Sequence, residues 1–283
     1  MAKLVKKSNL ERLKAEIEKK KSGGGGGNFR FWKPIKYGKY VVRFLPPKDP
    51  DGLFYYETAQ YKIGDNYYFA PIAVGKPDPI YEMYKRLWDV GTDDAIALAR
   101  ELKPRKQYLY NIVVKEELGE KTQDPTKVHV YMSGKKLYET LLEYFVDDDY
   151  GDLTDVEEGF DFIIDKKEGD YGFPNYDNSR PRPKSSPLFE DDDMIEKVLK
   201  NLNDLENEVE YKEYDELKKI LNSFLKTQKS GASKFVESKD DDDEEEEKPV
   251  KKTKKVEDVE EDSVDDDDMD DFEKDLLNQL EED

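Results

Sequence analysis

Hydrophobic and polar positions alternate along residues 40–45, 54–61, 66–69 and 128–132, and the same short aromatic texture runs through 108–115 and 160–166. A period of two predicts strands, each with one face turned to an interior. Pro46-Pro47 ends the first strand, and Gly64-Asp65 turns the second back into the third. A turn over 119–125 makes a hairpin of the 108–115 and 128–132 strands. Between the strands the spacing changes to three and four. Asp78-Pro79 opens a helix through Trp88 with Ile80, Tyr84 and Leu87 on one face, and Thr92 caps a second through Leu102. Further helices are predicted over about 135–145, 192–205 and 211–225, with a Pro-rich loop over 173–187.

Five or six short strands with helices inserted between them and at the C-terminal end predict an α+β, mainly β core over 29–230. Two architectures suit that order. One is a small, partly open barrel, of which the OB-fold is the nucleic-acid-binding type; the other is a sheet with helices on one face.

The ends of the chain follow other rules. Residues 1–22 carry eight Lys or Arg against three Glu, with Leu4, Leu10, Leu13 and Ile17 at helical spacing, which predicts a basic amphipathic arm. Gly23 to Gly27 cannot hold one conformation cheaply, so 23–28 is a flexible tether. It is not a phosphate loop, because no Gly-Lys-Ser/Thr follows. From 231 to 283 the chain is low in complexity, with eight consecutive acids at 240–247 and four at 265–268, and cannot bury a core. Met269, Phe272, Leu276, Leu277 and Leu280 nevertheless fall at helical spacing among those acids, as in a docking peptide.

Charge is unevenly divided along the chain. Residues 240–283 hold 24 acids and 6 bases, so −18 of the total −21 lies there and the body is nearly neutral with local basic clusters. Neither an apolar run of signal-peptide length nor about 18 consecutive apolar residues occurs, which predicts neither export by that route nor a membrane partner. The chain has no cysteine, hence no disulfide and no thiolate metal site.

One stretch concentrates candidate chemistry. Lys103, Arg105 and Lys106 stand directly before a strand in which Tyr108 and Tyr110 share a face and Leu109 and Val113 share the other. Cations that take phosphates beside rings that stack bases are single-strand chemistry. A core strand after a basic turn has the same pattern, so both readings stand at this point. An enzyme lacks support: no nucleotide-binding loop or cysteine nucleophile occurs, and Asp147-Asp148-Asp149 lacks calcium-loop spacing and reads as a solvated turn. An acidic interaction protein, a DNA mimic or a chaperone acting through its tail, is the competing class.

Several pieces in order resemble the single-stranded DNA-binding, helix-destabilising replication proteins of T-even-type bacteriophages. They are Lys6-Lys7-Ser8, Val42-Arg43-Phe44-Leu45-Pro46, residues 108–115, Gly134-Lys135-Lys136, Gly172-Phe173-Pro174-Asn175-Tyr176-Asp177 and Asp275-Leu276-Leu277-Asn278-Gln279-Leu280. The resemblance implies an OB-fold core with a cationic, aromatic-lined cleft and no cofactor, working in the cytoplasm of the infected host. It also implies self-association through the arm at Lys6, Lys7 and Ser8, and recruitment of replication and recombination proteins by the tail. Carried over, Arg43, Arg105, Lys106, Lys115, Lys135 and Lys136 track phosphates, while Tyr108, Tyr131, Phe173 and Tyr176 contact bases. Tyr110 is assigned from its strand face alone.

One departure matters. The family's zinc subdomain uses one histidine and three cysteines, and Asp78-Pro79-Ile80-Tyr81 stands where its Cys-x-x-Cys pair belongs. Without cysteine and with His129 alone, the site cannot form, so packing through Tyr81, Tyr84, Leu87 and Trp88 is expected instead. His129, between Val128 and Val130, reads as a surface or cleft histidine rather than a ligand.

Overall fold

A computed structural model describes residues 31–169 and 173–227. The chain divides into two units, 1–237 and 238–283, and all described residues belong to the first. The arm with Lys6, Lys7 and Ser8, and the tail with Phe272, Leu276, Leu277 and Leu280, lie outside the described residues.

The long strand β4 (Arg105–Glu117) is the axis of the sheet. Along one edge its first half pairs with β2 (Tyr55–Ile63) and its second half with β1 (Gly38–Phe44), while β6 (Val128–Gly134) takes the other edge with the short β5 (Glu120–Lys121). All these pairings are antiparallel. β3 (Asn66–Phe69) extends β2, and β7 (Phe162–Glu168) extends β1. Two-residue strands β8 (Pro174–Asn175) and β9 (Arg180–Pro181) add to β7 from the stretch expected to be plain loop. One strand sharing an edge between two neighbours curls the sheet into a half-barrel.

Both faces of β4 are covered. Tyr108, Tyr110, Ile112 and Val114 enter one cluster with Phe44, Phe162 and Ile164, closed by helix α3 (Lys135–Phe145) through Leu137 and Leu141. Leu109 and Val113 point the other way, into clusters with Leu188, Val198, Leu202 and Val209 from the C-terminal part of the core. The expected alternation therefore holds, but neither face of this strand is a free surface.

Beside β2 lie α1 (Pro79–Val90) and α2 (Asp93–Leu102), and α5 (Tyr214–Thr227) packs on α1 and β2. Asp78 caps α1, its Oδ1 accepting from Ile80 N at 3.0 Å and Tyr81 N at 3.2 Å. Its Oδ2 accepts from Tyr61 on β2 at 2.8 Å and from Ile72 N at 3.3 Å. One buried carboxylate thus joins strand, 3-10 turn and helix. Tyr81, Tyr84 and Leu87 are buried around it, as expected, and Trp88 is half-buried. Among the described residues no three His, Asp or Glu side chains are grouped to hold a metal, and the lone histidine lies on β6, so the donor set does not fit zinc.

Helix α4 (Asp192–Lys200) is shorter than its apolar spacing suggests. Asn203 N donates to Asn111 Oδ1 at 3.0 Å, and Asn111 Nδ2 donates to Asn203 O at 2.9 Å. Both backbone groups that would continue the helix are taken by a side chain of β4. Leu202 and Leu205 reach the core from irregular chain instead.

Candidate nucleic-acid interface

Pairing of Gln107 with Gly134 sets the entry of β4 beside the exit of β6. This register brings Arg105 and Lys106 to the same corner of the sheet as Lys135 and Lys136, four cations that the sequence separates by about thirty positions. Lys135 and Lys136 open α3, whose N-cap is Gly134 with no side-chain cap and whose first turn contains no acid. Every other described α-helix has Asp or Glu there. First-turn N–H groups without a capping side chain, together with two lysines, make a seat for an anion.

The carboxylates at this corner are weak competitors. Glu57 lies 3.1 Å from Lys106, Glu139 3.8 Å from Lys135 and Asp177 3.8 Å from Lys136, all on carboxylates at least two-fifths exposed. The Lys135–Glu139 and Lys136–Asp177 pairs, the more exposed, are worth about 0–1 kcal/mol and give way readily to phosphate, whereas the Lys106 side chain is largely covered, at 17% exposed. Asp177 lies on the loop that carries Phe173 and Tyr176, which places that loop beside Lys136. Phe173 is 70% exposed, a large ring in water. Tyr176 is half-buried against the rings of the central cluster, and burial, with Tyr40 and Tyr37 nearby, pushes its hydroxyl up to about 12.

The other predicted contacts separate from this corner. Arg43 is fully buried, which removes it from the surface track. Its Nε is 3.2 Å from Asp161 Oδ1 but off line for a hydrogen bond, and its Nη2 donates to Ser186. Gly159 makes room for it: a Cβ there would sit 2.7 Å from Arg43 Nη1. Lys115 lies 2.7 Å from the same Asp161 oxygen, with its side chain 19% exposed; burial lowers its pKa and Asp161 opposes the shift. Ten residues of strand, about 34 Å, separate it from Arg105. Lys115 belongs to this ionic node and not to the corner.

Tyr110 and Tyr131 are buried in the central cluster, so neither ring offers a face to a base. Tyr108 is only 3% exposed. It lies under Tyr138 of α3, the two rings parallel within 4° and 3.7 Å apart. Tyr138 donates to the Tyr55 hydroxyl at 2.9 Å. Sequence spacing gives no sign of Tyr55, whereas Tyr138 follows Lys135 by one helical turn.

A family model described as gp32 DNA binding protein like matches residues 36–228. The chain belongs to the gp32-like family of DNA-binding proteins. No curated protein matches it. The family binds single-stranded DNA, the partner to which the motifs point, and is not a family of enzymes. In this gp32-like chain the matched span runs from just before β1 to the end of α5, so it includes the cationic corner, the Phe173 loop and the Asp78 hub. A groove of about 600 Å³ beside β5, lined by Trp32, Lys36, Lys121, Lys127 and His129 together with three carboxylates, holds none of the predicted contacts. No helix among the described residues is long and apolar enough to cross a membrane.

Proposed function

We propose that this gp32-like chain binds single-stranded DNA without sequence preference, as an OB-type core that holds phosphates at Arg105, Lys106, Lys135 and Lys136 and stacks bases on Phe173 and Tyr176. The observation that carries this reading is the acid-free start of α3, where two lysines and first-turn N–H groups meet the entry of β4. Exposed rings read any base by its π face, and the phosphate contacts make affinity fall with salt. Arg43 and Lys115 act behind the surface, fixing Asp161 and the strands that present it.

In the same reading the protein coats single strands during phage replication, recombination and repair in the infected host cell. The arm, with Lys6, Lys7 and Ser8, links protomers along the strand, and a tethered arm supplies cooperativity through high local concentration. The tail competes with DNA for the cationic surface and presents Phe272, Leu276, Leu277 and Leu280 to partner proteins once a strand displaces it.

Titration of the full chain and of a chain truncated after Ser238 with fluorescent oligo-dT, at several salt concentrations, tests this. Binding of oligo-dT in preference to duplex is expected, with a gain on truncation that shrinks as salt rises. Equal affinity for duplex and single strand overturns the reading, and an acidic interaction protein would ignore DNA with the tail removed.

A further inference from the structure

We infer that Tyr138 is a base-stacking platform of this protein, with Tyr108 and Tyr55 as the residues that position it. The inference rests on the proposed single-strand binding and adds a contact that the resemblance did not supply.

Three observations meet at this ring. First, in the parallel stack at 3.7 Å Tyr108 is 3% exposed while Tyr138 is half-buried, so the inner ring is the support and the outer ring keeps part of its surface in solvent. Second, Tyr138 is held at two points. Its hydroxyl donates to Tyr55 at 2.9 Å, and the Tyr55 ring meets it edge-on at 4.9 Å. A ring locked before the ligand arrives loses little rotamer freedom on stacking, which is why preorganised aromatics bind well. Third, Tyr138 sits in the first turn of α3, three residues after Lys135 and two after Lys136. A strand whose phosphate rests on those lysines carries its base about one sugar away, within reach of the first helical turn.

The chemistry selects for a flat, apolar face and not for an anion. Burial raises the Tyr138 pKa, with the Tyr55 hydrogen bond next in effect, so the phenol stays neutral across the physiological range. A neutral ring on a cationic rim suits a nucleobase of any identity, DNA or RNA, and discriminates against a strand that has phosphates but no bases.

That discrimination is the test. The full chain and its Tyr138→Leu and Tyr138→Phe variants are titrated with oligo-dT and with an abasic oligonucleotide of equal phosphate count. Leucine keeps Tyr108 covered and the helix intact but has no π face; phenylalanine keeps the face and drops the hydroxyl. Tyr138→Leu should bind oligo-dT about 5- to 150-fold more weakly, the loss of one stacked base, with little change for the abasic strand. Tyr138→Phe should retain most of the affinity. Equal losses on both strands would make Tyr138 merely structural, and an unchanged oligo-dT affinity in Tyr138→Leu would remove the platform; either result overturns the inference. Failure of the wild-type chain to bind oligo-dT would instead overturn the functional reading beneath it.

Discussion

Lys115 Nζ lies 2.7 Å from Asp161 Oδ1, the oxygen that also faces Arg43 Nε at 3.2 Å. Arg182 reaches the second carboxylate oxygen at 4.0 Å and bonds Glu116 at 3.0 Å, so three cations converge on one largely buried acid. Asp161→Asn leaves the buried Arg43 guanidinium without its counter-charge, and a loss of about 3–5 kcal/mol in stability is expected. Urea denaturation measures it. Affinity for oligo-dT per folded molecule should be unchanged, which separates a structural node from a phosphate track.

The corner cations should behave in the opposite way. Arg105→Ala, Lys135→Ala and Lys136→Ala should each reduce the slope of log affinity against log salt by about 0.7 and change stability by less than about 0.5 kcal/mol. Full slope in all three variants would place the strand elsewhere.

Rings divide by burial. Phe173→Ala and Tyr176→Ala should weaken oligo-dT binding by about 1–3 kcal/mol with the salt slope intact. Tyr110→Ala removes a fully buried ring from the central cluster and should lower stability by about 3–5 kcal/mol, with the folded fraction binding normally. Denaturation curves and titrations on the same samples distinguish the two classes.

Asp78 ties β2, the 3-10 turn and α1 together by hydrogen bonds. Asp78→Ala removes a helix cap and leaves the buried Tyr61 hydroxyl unpaired, for an expected cost of about 2–4 kcal/mol. A strong zinc chelator should leave the melting temperature of the wild-type chain where it was. A chelator-induced fall would show that metal binds after all.

His129, the one histidine in the chain, supplies a pH signal. Burial, then Lys127, lowers its pKa from 6.5. In the unfolded chain it titrates near 6.5, so below that pH the unfolded state takes a proton that the folded state declines, and stability present above about 6.5 is lost as pH falls. Thermal unfolding across that range should show the loss, and His129→Gln should flatten it. The same slope in both proteins would assign the effect to other groups.

Local chemistry was legible wherever neighbours in sequence decide. Asp78-Pro79 and Thr92 start helices because a carboxylate or hydroxyl reaches N–H groups two or three residues on. Asp147-Asp148-Asp149 forms the expected turn, with Asp149 N donating to Asp147 Oδ1 at 2.9 Å. The end of α4 was not legible, because Asn111, 92 residues earlier, takes the backbone of Asn203. The candidate site split along the same line. Arg105, Lys135, Lys136, Phe173 and Tyr176 remain at the surface, whereas Arg43, Tyr110 and Tyr131 are enclosed.

Residue type and spacing along single segments were enough for the longer strands and the helices, the faces of β4, the lack of thiolate zinc ligands and the family, but not for the two-residue strands β5, β8 and β9, which exist only through their partners. Tertiary structure alone decided which face is covered. A strand's alternation states that Tyr108 and Leu109 point opposite ways, but segments around 137–141 and 188–209 fold over both sides and bury them both. Whether an aromatic ring supports the core or meets a base depends on what lies above it, and for Tyr108 that is Tyr138, thirty residues further on and parallel to it at 3.7 Å.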